Sequence, residues 1–543
     1  RTYSQRTDHR HGDGRRPKCA KTRALPTLTA TERDLVDAAS RWFDAHRAQF
    51  VDELCELLRY PSVSDESDPN PRPGAPYGPE VRRVFDHMLA KAGRDGLPTR
   101  DYTGHVMEVV YPQENVETDR DIAFVDHLDV VPADDGWTHD AFDPQVIGDI
   151  VIGRGSLDNK GVALTSYFLL RFFKEHDHRF RHRVRILFGG SEEIALNDIK
   201  WFVANIGAPY QAIVTDGPFP VNNIQKGLLD VDVELPVGPQ LRGWHAGTAT
   251  NTVPGAAAIT LTGVDESTVR QAFCQSGNIA PDIAERLHIN ATAQGVTIEA
   301  TGVAGHACQP SGTVNAIAVL TTALARSGLL EGRDLTAAQA IAQWTKDSYG
   351  TGLGIDCENA ESGPTTANGG LIIPANEFAE ADKVLGAVSG ETSEDAIVLH
   401  FDIRYAVGQA HEQIIERIQA QAEAAGGRIV DILNDDPYYV QADDPRVQLL
   451  TATYNDVLGC EARPVAVGDG THARFIPRAL NFGPEFHADH VPAVDGIDLE
   501  TPPFIAPGAG NAHGADEWAS LKNLKTAFVL YALGLVRLDQ YLQ

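Results

Sequence analysis

A histidine and an aspartate stand two residues apart at the end of an apolar run, in the segment IAFVDHLDVVP. If this run is a β-strand, His127 and Asp129 point to the same side, because strand side chains alternate. A metal-bound imidazole is commonly oriented by a carboxylate. The pair therefore fits a metal ligand with its supporting residue, although a histidine at a strand end is more often only hydrogen-bonded.

Three more carboxylates follow in two motifs. Asp158 lies in the glycine-rich loop GRGSLDNKG, where it could reach a strand-end site or only cap the next helix. Glu192 and Glu193 follow a strand in FGGSEEI, and adjacent carboxylates repel each other unless a cation or a shared proton holds them together. One glutamate could bind a metal while the other acts as a general base. A solvated charged pair is the alternative.

Two further residues complete a possible metal site. Asp216 ends a strand in IVTDG, and His513 lies in NAHGADEW before the last helix. Each signal is weak alone. Together, two histidines, three carboxylate ligands and a spare glutamate, mostly at the carboxyl ends of strands, predict one metal site at the edge of an open α/β sheet.

The elements that must position these residues alternate between strand and helix, which predicts an α/β fold with a doubly wound, mostly parallel sheet. After Gly227 the pattern changes to half-polar strands separated by helices, which indicates an inserted α+β domain. We expect the catalytic domain to be discontinuous. The predicted divisions are a disordered extension over residues 1–26, the catalytic domain over 27–225 and 438–543, and a lid and substrate-binding domain over 226–437.

Composition limits the partners of the chain. The 543 residues contain 75 Asp plus Glu against 46 Lys plus Arg, and the resulting charge of -29 would repel nucleic acid. Six scattered cysteines without a CxxC pair predict free thiols in a reducing compartment. No apolar run approaches the roughly 18–20 residues of a membrane span, and none follows the N-terminal basic residues. We expect a cytoplasmic protein with no nucleic-acid or membrane partner.

From about Leu54 onward the sequence resembles the co-catalytic zinc peptidases and deacylases, which include aminoacylase, glutamate-releasing carboxypeptidases, carnosinases and bacterial dipeptidases. The matching motifs are HLDVVP, GRGSLDNKG, SEE, TDG and the late histidine, and the chain looks most like the bacterial Xaa-His-type dipeptidases with a large lid. The resemblance implies two divalent metal ions, zinc in the first place, with manganese or cobalt as alternatives.

The same resemblance implies a role for each motif residue. His127, Asp158 and Asp216 would bind one ion, and Asp158, Glu193 and His513 the other, so that Asp158 bridges them. Glu192 would be the general base, and Asp129 would orient His127. A cis peptide is implied after Asp158.

Three residues of the insertion resemble substrate-contacting positions of the family. His306, in GVAGHACQPSGTVNAI, would polarise the scissile carbonyl, while Asn251 in NTVP and Arg404 in FDIRY would bind substrate. An arginine can hold a terminal carboxylate with two parallel hydrogen bonds. A purely structural role is an equally good explanation for all three.

The resemblance predicts a metal-dependent dipeptidase that hydrolyses short peptides with a metal-activated water. The alternative within this class is a deacylase of N-acyl amino acids, of the acetylornithine or succinyl-diaminopimelate type, because the same metal site serves both. A relative without activity that only binds peptides is the alternative outside it. The size of the insertion predicts a monomer whose lid supplies His306 to its own active site and closes about a hinge near Gly227 and Pro437.

Overall fold

The computed structural model describes residues 28–133, 135–275, 279–378, 395–486 and 497–542. The extension predicted over residues 1–26 lies outside these ranges. Within them, no helix combines the length and the apolar character that crossing a membrane requires.

The first helix shows how local sequence sets an element boundary. The Thr29 hydroxyl accepts a hydrogen bond from the Glu32 amide, and the Glu32 carboxylate accepts one from the Thr29 amide, so the helix begins with a capping box. The helices are α1 (Ala30–Leu58), α2 (Pro79–Arg94), α3 (Lys160–Glu175), α4 (Asn197–Asn205), α5 (Glu266–Gln275), α6 (Pro281–Ala284), α7 (Ala316–Ser327), α8 (Gly332–Trp344), α9 (His411–Ala424), α10 (Pro445–Leu458) and α11 (Leu521–Tyr541), with a 3₁₀ turn at His472–Phe475.

The larger sheet carries the predicted site. Its strands are β1 (Thr99–Tyr102), β2 (Val106–Val110), β3 (Glu117–His127), β6 (His182–Gly189), β7 (Gln211–Val214), β8 (Asn222–Gln225), β20 (Tyr438–Tyr439), β21 (Val465–Val467) and β22 (Ala479–Asn481); a small sheet beside it joins β4 (Gln145–Ile147), β5 (Ile150–Ile152) and β23 (Trp518–Ser520). Among the described residues the strand order of the larger sheet is β1-β2-β6-β3-β7-β22-β8-β20, with β21 beside β8, and β6, β3, β7 and β22 run parallel.

Both faces of this sheet are buried. Ile122 and Phe124 of β3 pack into the core that contains α3 and α11, whereas the alternating Ala123 and Val125 pack into a second core with Phe202 of α4. Helices therefore cover the sheet on both sides, and the predicted doubly wound α/β fold is confirmed.

The inserted segment folds around its own core. The chain leaves the larger sheet after Gln225 and enters a separate sheet of order β17-β18-β9-β19, which packs with α7, α8 and α9. It returns to the larger sheet at Tyr438. The inserted strands are β9 (Gly227–Pro236), β10 (Thr252–Val253), β11 (Ala256–Leu261), β12 (Leu287–Thr292), β13 (Gly295–Thr301), β14 (Gly305–His306), β15 (Glu358–Asn359), β16 (Gly363–Pro364), β17 (Thr366–Pro374), β18 (Ala396–Tyr405) and β19 (Arg428–Asp435).

Candidate metal centre

Three neighbouring parallel strands deliver the predicted site residues to one sheet edge. β3 ends at His127, which lies opposite Gly189 at the end of β6, and β7 runs alongside with Asp216 two residues beyond its end. Glu192 and Glu193 follow β6 after two intervening residues, Gly190 and Ser191. Carboxyl ends of adjacent parallel strands lie at the same edge of a sheet, so residues far apart in sequence meet there.

The buried His127 imidazole faces three carboxylates. Its Nε2 lies 3.1 Å from Oδ1 of Asp158, 3.7 Å from Oδ2 of Asp216 and 4.0 Å from Oε2 of Glu192. These distances place imidazole nitrogen and carboxylate oxygen close enough to share a metal ion.

The second histidine approaches the same cluster from the C-terminal part of the chain. His513 Nε2 lies 3.2 Å from Oδ2 of Asp158 and 2.9 Å from Oε2 of Glu193. Asp158 thus faces a histidine with each of its two carboxylate oxygens. The cis peptide implied by the family resemblance is present between Asp158 and Asn159.

The donor atoms of this cluster fit divalent cations. Among the described residues, ligand atoms within 4.8 Å of one another are offered by His127, Glu192 and Asp216, and again by His127, Asp158 and Glu193. Oε1 of Glu193 is buried and has no hydrogen-bond partner there. An unpaired buried carboxylate oxygen is costly unless a cation neutralises it.

The charges of the cluster are unbalanced without a cation. Burial, together with the neighbouring carboxylates, raises the pKa of Glu193 to about 7 and of Asp216 to about 6, and it raises that of Glu192 well above its usual value. Hydrogen bonds to Asp158 and Glu193 raise the pKa of His513 to about 11. The two carboxylates therefore favour the charged form of the His513 imidazole.

Asp129 contacts both His127 and the turn that carries Glu192 and Glu193. Its Oδ1 lies 3.3 Å from Nδ1 of His127, whose Nδ1 is also 3.0 Å from the Asp129 carbonyl oxygen. The same carboxylate accepts hydrogen bonds from the backbone amides of Glu192 at 3.2 Å and Glu193 at 3.0 Å. One buried carboxylate thus contacts the imidazole and accepts hydrogen bonds from the turn that presents both glutamates.

A family model described as peptidase family M20/M25/M40 matches residues 123–536 of the chain. The chain belongs to this peptidase family. It is therefore a hydrolase that acts as a peptidase, and the resemblance seen in the motifs is confirmed.

Two relatives share nearly the full length of this M20/M25/M40 peptidase. The chain is 26% identical over 500 residues to a Bacillus subtilis (strain 168) protein named "Putative dipeptidase YtjP", covering 91% of this chain and 97% of that protein. It is 27% identical over 501 residues to "Putative dipeptidase SSP1012" of Staphylococcus saprophyticus, with coverage of 90% and 96%.

Solved structures support the same fold. Human carnosine dipeptidase 1 matches with a TM-score of 0.52 and 15% identity, covering 93% of this chain and 99% of that one. The di-peptidase Dug1p of Saccharomyces cerevisiae matches with a TM-score of 0.51 and 13% identity, covering 93% and 98%. At such identities the likeness establishes the fold alone.

Sequence reasoning missed a buried glutamate that accepts hydrogen bonds from the loop carrying Asp158 of this peptidase. Oε1 of Glu517 accepts hydrogen bonds from the amides of Leu157 at 2.9 Å and Asp158 at 3.0 Å. Its Oε2 accepts from Gly155 N at 3.1 Å and Arg154 Nη1 at 2.7 Å. The signal available in the sequence was its position four residues after His513 in HGADEW.

Asn251, His306 and Arg404, the substrate residues predicted in the insertion, lie on the inserted domain. None of these three takes part in the described ion pairs of the metal-centre cluster. Thr252, next to Asn251, pairs with His306, and the Asn251 carbonyl accepts a hydrogen bond from the Ala307 amide at 2.8 Å. These contacts bring Asn251 and His306 together.

Arg404 of the M20/M25/M40 peptidase has two kinds of partner. Its Nε and Nη2 donate to the two oxygens of Asp402 at 2.7 and 2.9 Å, so one edge of the guanidinium is fully paired. Its Nη1 lies 3.3 Å from the Gly468 carbonyl oxygen and 3.4 Å from Oδ1 of Asp469. Arg404 of the inserted domain therefore contacts the loop of the larger domain that contains Gly468 and Asp469.

Proposed function

We propose that this M20/M25/M40 peptidase is a metal-dependent dipeptidase acting on short peptides. The observation that carries the proposal is the buried cluster in which Asp158 faces His127 on one side and His513 on the other. The names of the two near-full-length relatives support the dipeptide as substrate class.

We propose that His127, Asp158 and Asp216 hold one divalent ion, and that Asp158, Glu193 and His513 hold the other. Zinc is the proposed ion, with manganese and cobalt as alternatives, because imidazole and carboxylate donors suit all three. A bound pair of such ions supplies an activated water and a polarised carbonyl. Asp129 would hold His127 and the glutamate turn in place through the hydrogen bonds already described.

Glu192 is the proposed general base. Its carboxylate lies beside His127 but, unlike Glu193, it makes no ion pair with His513 among the described contacts. We propose that it takes the proton of the attacking water and later delivers that proton to the leaving amine. The two adjacent glutamates would thus divide base and ligand roles.

The inserted domain is proposed to hold the peptide. His306 would donate to the scissile carbonyl oxygen, supported by Asn251 beside it. Arg404 would bind the terminal carboxylate through Nη1, where its contact with Asp469 at 3.4 Å is longer than the roughly 2.7–2.9 Å of strong charge-assisted hydrogen bonds. A substrate carboxylate can therefore compete for this position.

The division of the chain is also part of the proposal: a catalytic domain over 27–225 and 438–543, and a lid over 226–437, in a monomer. The passage from one sheet to the other between Gln225 and Gly227 supports the first boundary. We propose a cytoplasmic location, which the free thiols of Cys55, Cys308, Cys357 and Cys460 support.

A substrate panel tests the reaction. Metal-reconstituted protein is assayed with dipeptides, tripeptides and N-acyl amino acids that share the same C-terminal residue. We expect dipeptides to give the highest kcat/KM. A higher kcat/KM for the acetylated or succinylated amino acids would replace the dipeptidase with the deacylase.

Metal content tests the ligand set independently of the substrate. His127→Ala, Asp158→Ala and His513→Ala should each bind fewer than two ions per chain, because each removes a proposed ligand. His245→Ala, at an imidazole 54% exposed on the inserted domain, is the control and should keep the wild-type content. Two ions in all three ligand variants would refute the site.

A further inference from the structure

A second group of metal-binding side chains lies where the inserted domain meets the larger one. His306, Cys308 and Asp469 each offer a ligand atom, and these atoms lie within 4.8 Å of one another. The Cys308 Sγ is 3.5 Å from Oδ2 of Asp469. None of the three belongs to the proposed two-ion centre.

Backbone packing fixes this proximity. A Cβ added at Gly468 would lie 2.7 Å from the Cβ of Cys308, so the loop can rest directly on the cysteine only because residue 468 has no side chain. The amide of Cys308 donates to Nδ1 of His306 at 3.3 Å, which holds the ring next to the cysteine backbone. The three ligands are therefore held together by main-chain contacts around them.

The chemistry of the three groups selects a class of ion. A thiolate with an imidazole and a carboxylate suits zinc and similar borderline or soft divalent ions, in a tetrahedral arrangement with one position left for water. His306 and Asp469 are exposed while Cys308 is buried, so an ion would enter from the solvent side. Arg404 contacts Oδ1 of Asp469, which leaves Oδ2, the oxygen nearest the thiol, for an ion.

We propose that His306, Cys308 and Asp469 bind one divalent ion of the zinc, cobalt and cadmium class, at a third site separate from the two-ion centre. Burial and the nearby Asp469 raise the pKa of the Cys308 thiol above its usual value, so the group is protonated before the ion arrives. Coordination deprotonates the thiol and releases that proton to solvent.

Occupancy of the third site has a consequence for turnover. The ion would join two residues of the inserted domain to a loop of the larger domain, and it would engage His306. This consequence, unlike the binding itself, rests on the proposed role of His306 and on movement of the lid. Excess zinc should therefore inhibit the enzyme.

Cobalt titration of the full-length protein tests the binding. Thiolate ligation gives Co²⁺ a near-ultraviolet charge-transfer absorption that imidazole and carboxylate ligands do not produce, so the band reports the third site and not the two-ion centre. With a phosphine reductant present, we expect the band in the wild type and in Cys357→Ser. We expect it to be lost in Cys308→Ser. Asp469→Asn should need at least about tenfold more Co²⁺, the lower end of what even a supporting partner is worth.

The outcomes separate this proposal from the dipeptidase assignment. Absence of the band in the wild type, or its persistence in Cys308→Ser, would overturn the third site whatever the activity. Zinc beyond two equivalents should inhibit the wild type and spare Cys308→Ser. Equal inhibition of both would overturn the regulatory consequence, whereas failure of the substrate panel would affect only the proposed reaction.

Discussion

Glu192 and Glu193 are neighbours in sequence, yet their side chains have different surroundings. Glu193 contacts His513 and carries a buried, unpaired oxygen, whereas Glu192 lies toward His127 and Asp216. We expect Glu192→Gln to keep its metal and lose kcat by about 10²–10⁴-fold, the usual contribution of a general base. Glu193→Gln should instead lose metal. Measuring both the metal content and the single-turnover rate of each variant separates loss of metal from loss of catalysis.

Comparing Glu192→Gln with Glu193→Gln also tests whether the two glutamates have different roles. Both substitutions remove one negative charge at adjacent positions and keep the side-chain shape. Near-normal hydrolysis by metal-loaded Glu192→Gln would contradict the general-base assignment. Loss of metal from both variants would mean that Glu192 is a ligand as well.

Glu517 is predicted to control metal affinity without touching the metal. Its carboxylate accepts three backbone hydrogen bonds and one from Arg154, and an amide nitrogen cannot accept any of these. Glu517→Gln should weaken metal binding by about 10–100-fold, as loss of supporting partners does elsewhere. A competitive chelator titration measures this. Unchanged affinity together with a lower Tm would show a role in stability alone.

The sequence predicts the place of some residues in the site but not of others. His127 and Asp129 could be predicted from their spacing of two at the end of an apolar run, although β3 itself ends at His127. Glu517 could not, because its contact with Asp158 spans 359 residues and depends on where the last part of the chain returns. Arg404 shows an intermediate case: its pairing with Asp402, two positions earlier on β18, follows from strand alternation, but its contact with Asp469 does not.

Among the elements, the parallel strands were the most predictable. β3, β6 and β7 read as apolar runs that end in polar motifs, and their carboxyl ends meet in the structure as the pattern indicated. The position of β22 between β7 and β8 could not be predicted, because it joins the sheet only after the whole insertion. Order along a sheet is set by long-range pairing, which local periodicity does not encode.

The sheet of the inserted domain places a histidine between acidic residues. His400 on β18 lies opposite Asp232 on β9, with Nδ1 at 2.9 Å from its carboxylate and Nε2 at 3.6 Å from Asp230. Burial disfavours the charged ring, but these two carboxylates outweigh it and raise the pKa of His400 to about 10. The charged imidazole therefore stabilises the folded domain.

The sign of the resulting pH dependence follows from that shift. A histidine in the unfolded chain titrates near 6.5, so the stabilisation is complete below about pH 6.5 and is lost as the pH rises toward about 10. We expect the urea midpoint to fall across this window in the wild type and to fall less in His400→Gln. The pH slopes of the unfolding free energy of these two proteins should differ by at most about 1.4 kcal/mol per pH unit. His245→Gln, at an exposed site of the same domain, should retain the wild-type slope. Equal slopes in all three proteins would contradict the assignment.

At the scale of the whole molecule, both connections between the domains are held by one arginine. Arg474 donates to the carbonyl oxygen of Lys226 at the first crossing, and to those of Asp435 and Asp436 at 3.2 and 3.1 Å at the second. Gly227 is tightly packed, since a Cβ there would lie 2.0 Å from the Tyr405 ring. The glycine predicted as a hinge is thus explained equally by close packing.

A single chain is expected to contain a complete active site. The end of the inserted domain that carries His306 already contacts the larger domain of the same chain, through Cys308 and Arg404 on Asp469. We therefore expect a monomer whose inserted domain supplies His306 to its own site. His306→Ala should lower kcat by about 10²–10³-fold, the effect of losing one donor to a developing oxyanion. Co-expressed His306→Ala and Glu192→Gln chains should show no more activity than each alone, and light scattering should give the mass of one chain. Recovered activity would demonstrate that His306 crosses to a partner subunit.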